Sequence, residues 1–118
     1  AENAKLLASH HVLPELNHNE IEGFGSNPFP SLPRHIVWMS DRDDHNQVLK
    51  RVRVTGELLK DIGVKNIYIM LDNMKNDFIT RTLKLLYLTD WISYYLAEIN
   101  NVNPLPVDTI MNLKNKMS

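Results

Sequence analysis

Two short apolar runs separated by one amphipathic helix limit what this chain can fold into more than any other feature of it. His35-Ile36-Val37-Trp38-Met39 and Lys65-Asn66-Ile67-Tyr68-Ile69-Met70-Leu71 are β-rich and nearly continuous, which reads as two buried strands. Between them Val48, Val52, Thr55, Leu59 and Ile62 recur at spacings of three and four. Lys50, Arg51, Arg53, Glu57 and Lys60 take the wet side of that helix, and Gly63 ends it as a C-terminal cap. Ser40-Asp41-Arg42-Asp43-Asp44 offers several N-caps for it. Strand, helix, strand is the α/β alternation, and it calls for a parallel sheet.

Helix dominates the rest. A long helix is expected from about Asp77 to Asn100, apolar on most sides and so covered on more than one face. Arg81, Lys84 and Asp90 within it argue against a membrane span. Asn103-Pro104-Leu105-Pro106 stops the chain direction, and Val107 to Lys116 predicts a last amphipathic helix with Ile110, Leu113 and Met117 inward. Residues 2–9 (ENAKLLAS) have helix-forming composition, with Glu2 near the positive end. Ile21 to Phe24 reads as a short helical turn, residues 25–34 as a proline-rich surface loop, and Asp72-Asn73 as a turn. Two strands are few for a parallel sheet, so further strands are expected upstream of Ala1. With 118 residues the chain is at most one domain, and it reads as a piece of something longer.

Composition excludes more than it assigns. Apolar residues at 43% and charged residues at 23% suit a folded domain, not a disordered one. A net charge of -1 gives no electrostatic case for nucleic acid or an anionic membrane. The absence of cysteine removes disulfides, thiolate catalysis and cysteine zinc sites. No signal segment opens the sequence, and the expected compartment is the cytoplasm.

The densest polar stretch is Leu13-Pro14-Glu15-Leu16-Asn17-His18-Asn19-Glu20, with Leu13, Leu16 and Ile21 interleaved. That pattern suggests a segment half anchored in a core and half facing a site. His10, His11, His18, Glu15 and Glu20 lie close in sequence, but their spacing matches no metal-ligand motif, and no metal is expected. On the residues alone Glu2 reads as a partner of a helix dipole, His18 as a hydrogen-bonded loop histidine, and Lys114 as a solvated charge. Glu15 and Glu20 read as loop braces. Asp90 and the cluster of Trp91, Tyr94 and Tyr95 read as core.

ENAKLLASHHVLPELNHNEIEGF, followed much later by YLTDWISYYLAEINNVNPLPVDTIMNLK, resembles the C-terminal half of bifunctional phosphoglucose/phosphomannose isomerases of the sugar-isomerase (SIS) superfamily. ENAK, PELNHNE and the terminal NP with its Ile110-x-x-Leu113-Lys114 occur in the family's order, and the resemblance covers nearly the whole chain. It implies a SIS-type parallel sheet flanked by helices, incomplete here, with residues 1–118 forming the C-terminal portion of the second SIS domain. It also implies an N-terminal SIS domain in the parent chain, a sugar 6-phosphate substrate, a homodimer and no cofactor.

The same resemblance assigns roles. Glu2 matches the family's catalytic base, His18 the histidine that helps open the sugar ring from the neighbouring subunit, and Lys114 the ring-opening lysine, with Lys116 close by. The family's phosphate-binding Ser/Thr loops match nothing here. Some relatives carry a threonine near the start of the last helix, where this chain has Leu105-Pro106-Val107. The choice between glucose and mannose 6-phosphate therefore stays open. Two other readings compete with an isomerase: a non-catalytic SIS module that binds a sugar phosphate for regulation, and a structural dimerisation piece.

Overall fold

The computed structural model describes residues 1–25, 35–71 and 77–117. The proline loop therefore lies outside the described residues except for Gly25, as does the turn at Asp72-Asn73. The chain divides into two compact units, His10–Lys75 and Ala1–Ser9 with Asn76–Ser118.

The first of these is the βαβ unit that the sequence calls for. Strand β1 (His35–Asp41) and strand β2 (Lys65–Leu71) pair in parallel, His35 against Lys65 through Asp41 against Leu71. Short helix α1 (Glu20–Gly25) precedes β1, and helix α2 (Asn46–Asp61) makes the crossover between the strands. Its inward stripe is Val52, Thr55, Gly56 and Leu59, which are buried, while Ile62 stays exposed beyond the last turn. The core joins Leu16, Trp38, Val52, Leu59 and Val64, with Leu13, Ile21, Phe24 and Ile36 packed against it.

The ends of α2 show local chemistry at work. Gly63, at φ 83, takes the left-handed position after the helix. Its N–H donates to the Lys60 carbonyl, and the Val64 N–H donates to the Leu59 carbonyl, both at 2.9 Å. That is the paired C-terminal bonding of a Schellman motif, and Leu59 and Val64 share the core beneath it. At the other end the cap is His45, whose Nδ1 accepts from the Gln47 N–H at 3.1 Å, in place of the expected residues at 40–44. Asp41 and Asp44 instead brace the turn: the Asp41 N–H donates to Asp44 Oδ2 and the Asp43 N–H to Asp41 Oδ1.

Strand β1 is buried on one face, where its apolar run predicts two, and in β2 only Leu71 is buried. Trp38 and Ser40 are buried and Ile36 half-buried, whereas Val37, Met39 and Ile67 are exposed. Alternation along a pleated strand sends those two sets to opposite faces. Both runs are apolar on two sides, but the described residues cover one face of β1 and little of β2.

The second unit holds helix α3 (Phe78–Ile99) and helix α4 (Asp108–Met117). The Asp77 carboxylate caps α3 by accepting from the Thr80 N–H at 3.0 Å and the Thr80 hydroxyl at 2.8 Å. These bonds hold its carboxyl below the usual carboxylate range. At the far end Asn101, at φ 53, takes the place that Gly63 takes after α2. Its N–H donates to Glu98 and the Val102 N–H to Ala97, a second Schellman motif.

Three expectations fail in this unit. Only Arg81 and Ala97 of α3 are buried, so the covering predicted for its apolar sides is not supplied by the described residues. The aromatic cluster forms, with Trp91 stacked on Tyr95 at 5.4 Å and edge-on to Tyr87 and Tyr94, yet Trp91 is 40% and Tyr95 57% exposed. It is a surface cluster, and Asp90 beside it is exposed too. Nor are Ile110, Leu113 and Met117 inward, since α4 has no buried residue. Amphipathic spacing identifies an apolar face but does not say what lies against it.

Candidate active site

The segment around Glu2 is a turn over residues 2–5 and not the helix that composition predicts for residues 2–9. The Leu6 N–H reaches the Ala1 carbonyl at 3.3 Å, and Lys5 adopts φ 51, which ends helical propagation after one turn. A left-handed conformation costs a residue with a Cβ roughly 1–2 kcal/mol, so something must hold Lys5 there.

The side chains following Glu2 supply that hold. Asn3 Nδ2 donates to Ser93 Oγ of α3 at 2.9 Å, and Ser93 in turn donates to the Asp90 carbonyl. The methyl of Ala4 is buried. Lys5 Nζ donates to the carbonyls of Glu2 (3.0 Å), Pro104 (3.4 Å) and Pro106. Glu2 itself is exposed, on a backbone fixed to α3 and to the loop before α4.

Lys114 is in the last turn of α4, with Lys116, where ammonium groups complement the carbonyl end of the helix dipole. It is exposed. Because two residues advance a helix by about 200°, Lys114 and Lys116 point to nearly opposite sides.

His18 belongs to the other unit. It follows a 3-10 turn at Glu15–Asn17, and its backbone N–H closes that turn on the Glu15 carbonyl at 2.8 Å. The segment has the two-sided character that its sequence suggests. Leu16 is buried, Leu13 and Ile21 pack on the core, and Glu15, His18, Asn19 and Glu20 are exposed. Asn17 ties it to α2, donating to Thr55 Oγ1 at 2.7 Å and lying 3.5 Å from Arg51 Nη1. Glu15 braces the loop by accepting from Asn19 Nδ2 at 3.0 Å. Helix α1 (Glu20–Gly25) follows, with the Glu20 N–H donating to Asn19 Oδ1.

His10, His11, Glu15 and Glu20 also line an open cavity of about 210 Å³. Among the described residues no three His, Asp or Glu side chains are grouped so as to hold a metal ion. No helix among them is long and apolar enough to cross a membrane.

The candidate residues are thus an exposed carboxylate on a pinned turn and two lysines at the end of α4 in one unit, and an exposed imidazole on a braced loop in the other. Residues 1–117 match the family described as the bacterial phospho-glucose isomerase C-terminal SIS domain. The chain belongs to that family. The expected α/β SIS fold agrees with this match and with the parallel β1–β2 pair.

Several curated relatives match nearly this whole chain. A bifunctional phosphoglucose/phosphomannose isomerase of Aquifex aeolicus is 39% identical over 118 residues, covering 98% of this chain and 35% of the relative. Proteins of the same name from Caldicellulosiruptor bescii and Thermoplasma volcanium are 38% and 29% identical. They are matched over 34% and 36% of their own lengths, so the chain spans about a third of the length of these relatives. No solved structure matches it.

Sequence reasoning missed Asn3 and Lys5 as anchors of the Glu2 turn. The ENAK tetrad was visible as a unit, but the partners of its polar members are some 90 to 100 residues away in the chain.

Proposed function

We propose that this chain is the C-terminal SIS portion of a phosphoglucose/phosphomannose isomerase and supplies acid–base groups for aldose–ketose interconversion of sugar 6-phosphates. The observation that carries the reading is the turn at Glu2, where Asn3, Ala4 and Lys5 fix the backbone and leave the glutamate exposed.

The reaction needs a cyclic sugar opened and then a proton moved between C2 and C1 through a cis-enediol. Glu2 serves as the carboxylate that takes and returns that proton on one face of the enediol. A base so placed contributes roughly 10²–10⁴-fold. Opening the ring needs one proton removed from a hydroxyl and one delivered to the ring oxygen. His18, whose two ring nitrogens can accept and donate, and Lys114, whose side chain carries N–H donors, suit that exchange. In this reading His18 acts in the site of a neighbouring subunit of a homodimer. The phosphate grip comes from an N-terminal SIS domain. The exposed apolar side chains of α3 and α4 support such partners, because contiguous apolar surface of this kind marks interaction sites.

The test is isomerisation of fructose 6-phosphate by a full-length polypeptide carrying this chain and by its Glu2→Gln variant. Turnover at least about a hundredfold slower in a variant that still binds substrate identifies Glu2 as the base. Binding of sugar phosphate by the parent without conversion would favour a regulatory SIS module.

A further inference from the structure

Lys5 has a placement that its backbone does not require. Its φ of 51 is one that glycine or asparagine ordinarily occupies, yet a long cationic side chain stands there. An ammonium has three N–H donors, and here three carbonyls receive them: Glu2, Pro104 and Pro106. One acceptor belongs to the proposed base itself. The other two belong to the loop that leads into α4, whose first turn closes when the Met111 N–H reaches the Val107 carbonyl, one residue past Pro106.

That loop is built to hold its acceptors still. Pro104 and Pro106 have locked φ angles. Asn103 Oδ1 accepts from the intervening Leu105 N–H at 3.0 Å. From Asp108, Lys114 is six residues along α4, about 9 Å of helix axis. A tilt of about 10° at the loop would carry it roughly 1.5 Å, a scale at which misplacement can cost about a hundredfold in rate.

We propose that Lys5 is a positioning residue, fixing the backbone of Glu2 against the loop that launches α4 so that the carboxylate and Lys114 keep one relative geometry. The proposal rests on the reading of Glu2 and Lys114 as acid–base groups. Among the described residues Lys5 binds main-chain carbonyls, a role that a solvated surface lysine would not have.

The experiment uses the full-length polypeptide with fructose 6-phosphate and four variants: Lys5→Met, Lys5→Gly, Glu2→Gln, and Glu2→Gln with Lys5→Met. Lys5→Met should lower kcat about ten- to a hundredfold with KM within about twofold. Lys5→Gly suits the left-handed backbone, so it removes the side chain's three bonds without leaving a strained φ, and it should still lose comparable kcat. Added to Glu2→Gln, Lys5→Met should cause less than about a twofold further loss, because the group it positions is already disabled. Parental kcat in Lys5→Gly beside a disabled Glu2→Gln would overturn the positioning role alone, as would losses that simply multiply in the double variant. Full turnover in Glu2→Gln would bring down the base assignment and this proposal together.

Discussion

The indole N–H of Trp38 on β1 donates to Asn66 Oδ1 on β2 at 2.7 Å, across the two strands of the parallel sheet. The Asn66 amide nitrogen continues the chain, donating to the carbonyls of Gly56 at 3.2 Å and Val64 at 3.1 Å. One half-buried amide thus ties together β1, the middle of α2 and the start of β2.

Asn66→Leu should therefore destabilise the fold by about 1–3 kcal/mol, since it leaves an indole N–H and two carbonyls without their partners. The check is the urea midpoint of the full-length polypeptide at constant m-value. An unchanged midpoint would mean that water replaces the amide at no cost.

Gly63→Ala should cost about 1 kcal/mol. Nothing lies within 4 Å of the added Cβ, so the loss comes from the backbone at φ 83 and not from a clash. Gly63→Asn should cost less, as asparagine tolerates this region better. Equal stability of all three proteins would refute the Schellman account of this helix end.

Acid should weaken α3 through Asp77. Its carboxyl is held below the usual range first by the Thr80 N–H and then by the Thr80 hydroxyl. A folded-state value lower than the unfolded one gives stability that is present above the unfolded carboxylate range. That stability disappears as pH falls through the lowered folded value. Melting temperature measured against pH should lose part of its acid limb in Asp77→Asn, which keeps a capping oxygen but cannot titrate. Superimposable profiles would count against it.

Lys114→Met and Lys116→Met should separate sharply. Pointing to nearly opposite sides of α4, the two ammonium groups cannot serve one site equally. Loss of at least about a hundredfold in kcat is expected from Lys114→Met, with Lys116→Met close to the parent. The reverse order would move the ring-opening role to Lys116.

The strands were legible because a continuous apolar run bounded by breakers has few alternatives: β2 occupies Lys65–Leu71, the span its sequence suggests. The span of α3 was equally readable: a helix expected from about Asp77 to Asn100 is found at Phe78–Ile99. The cap of α2 was not, because an imidazole nitrogen replaces the usual side-chain oxygen. Composition also overrated the helix at residues 2–9, since the bonds from Lys5 to Pro104 and Pro106 exist only after the chain has folded. The exposure of Trp91, Tyr95 and Leu113 was hidden for a different reason: apolar spacing records a need for cover without identifying its source. The candidate site divides in the same way. Motif order picks out Glu2, His18 and Lys114, whereas the anchors that fix the Glu2 turn come from tertiary structure.

Parallel pairing of β1 with β2 uses one edge of each strand, and among the described residues their outer edges pair with no further strand. Rows of such amides and carbonyls template the addition of another strand from whatever chain arrives first. With Val37, Met39 and Ile67 exposed beside them, a second copy of this segment would be an effective competitor for that place. Colloidal behaviour during biosynthesis thus becomes a matter of timing: an edge still open when nascent molecules meet is one that a second copy can take.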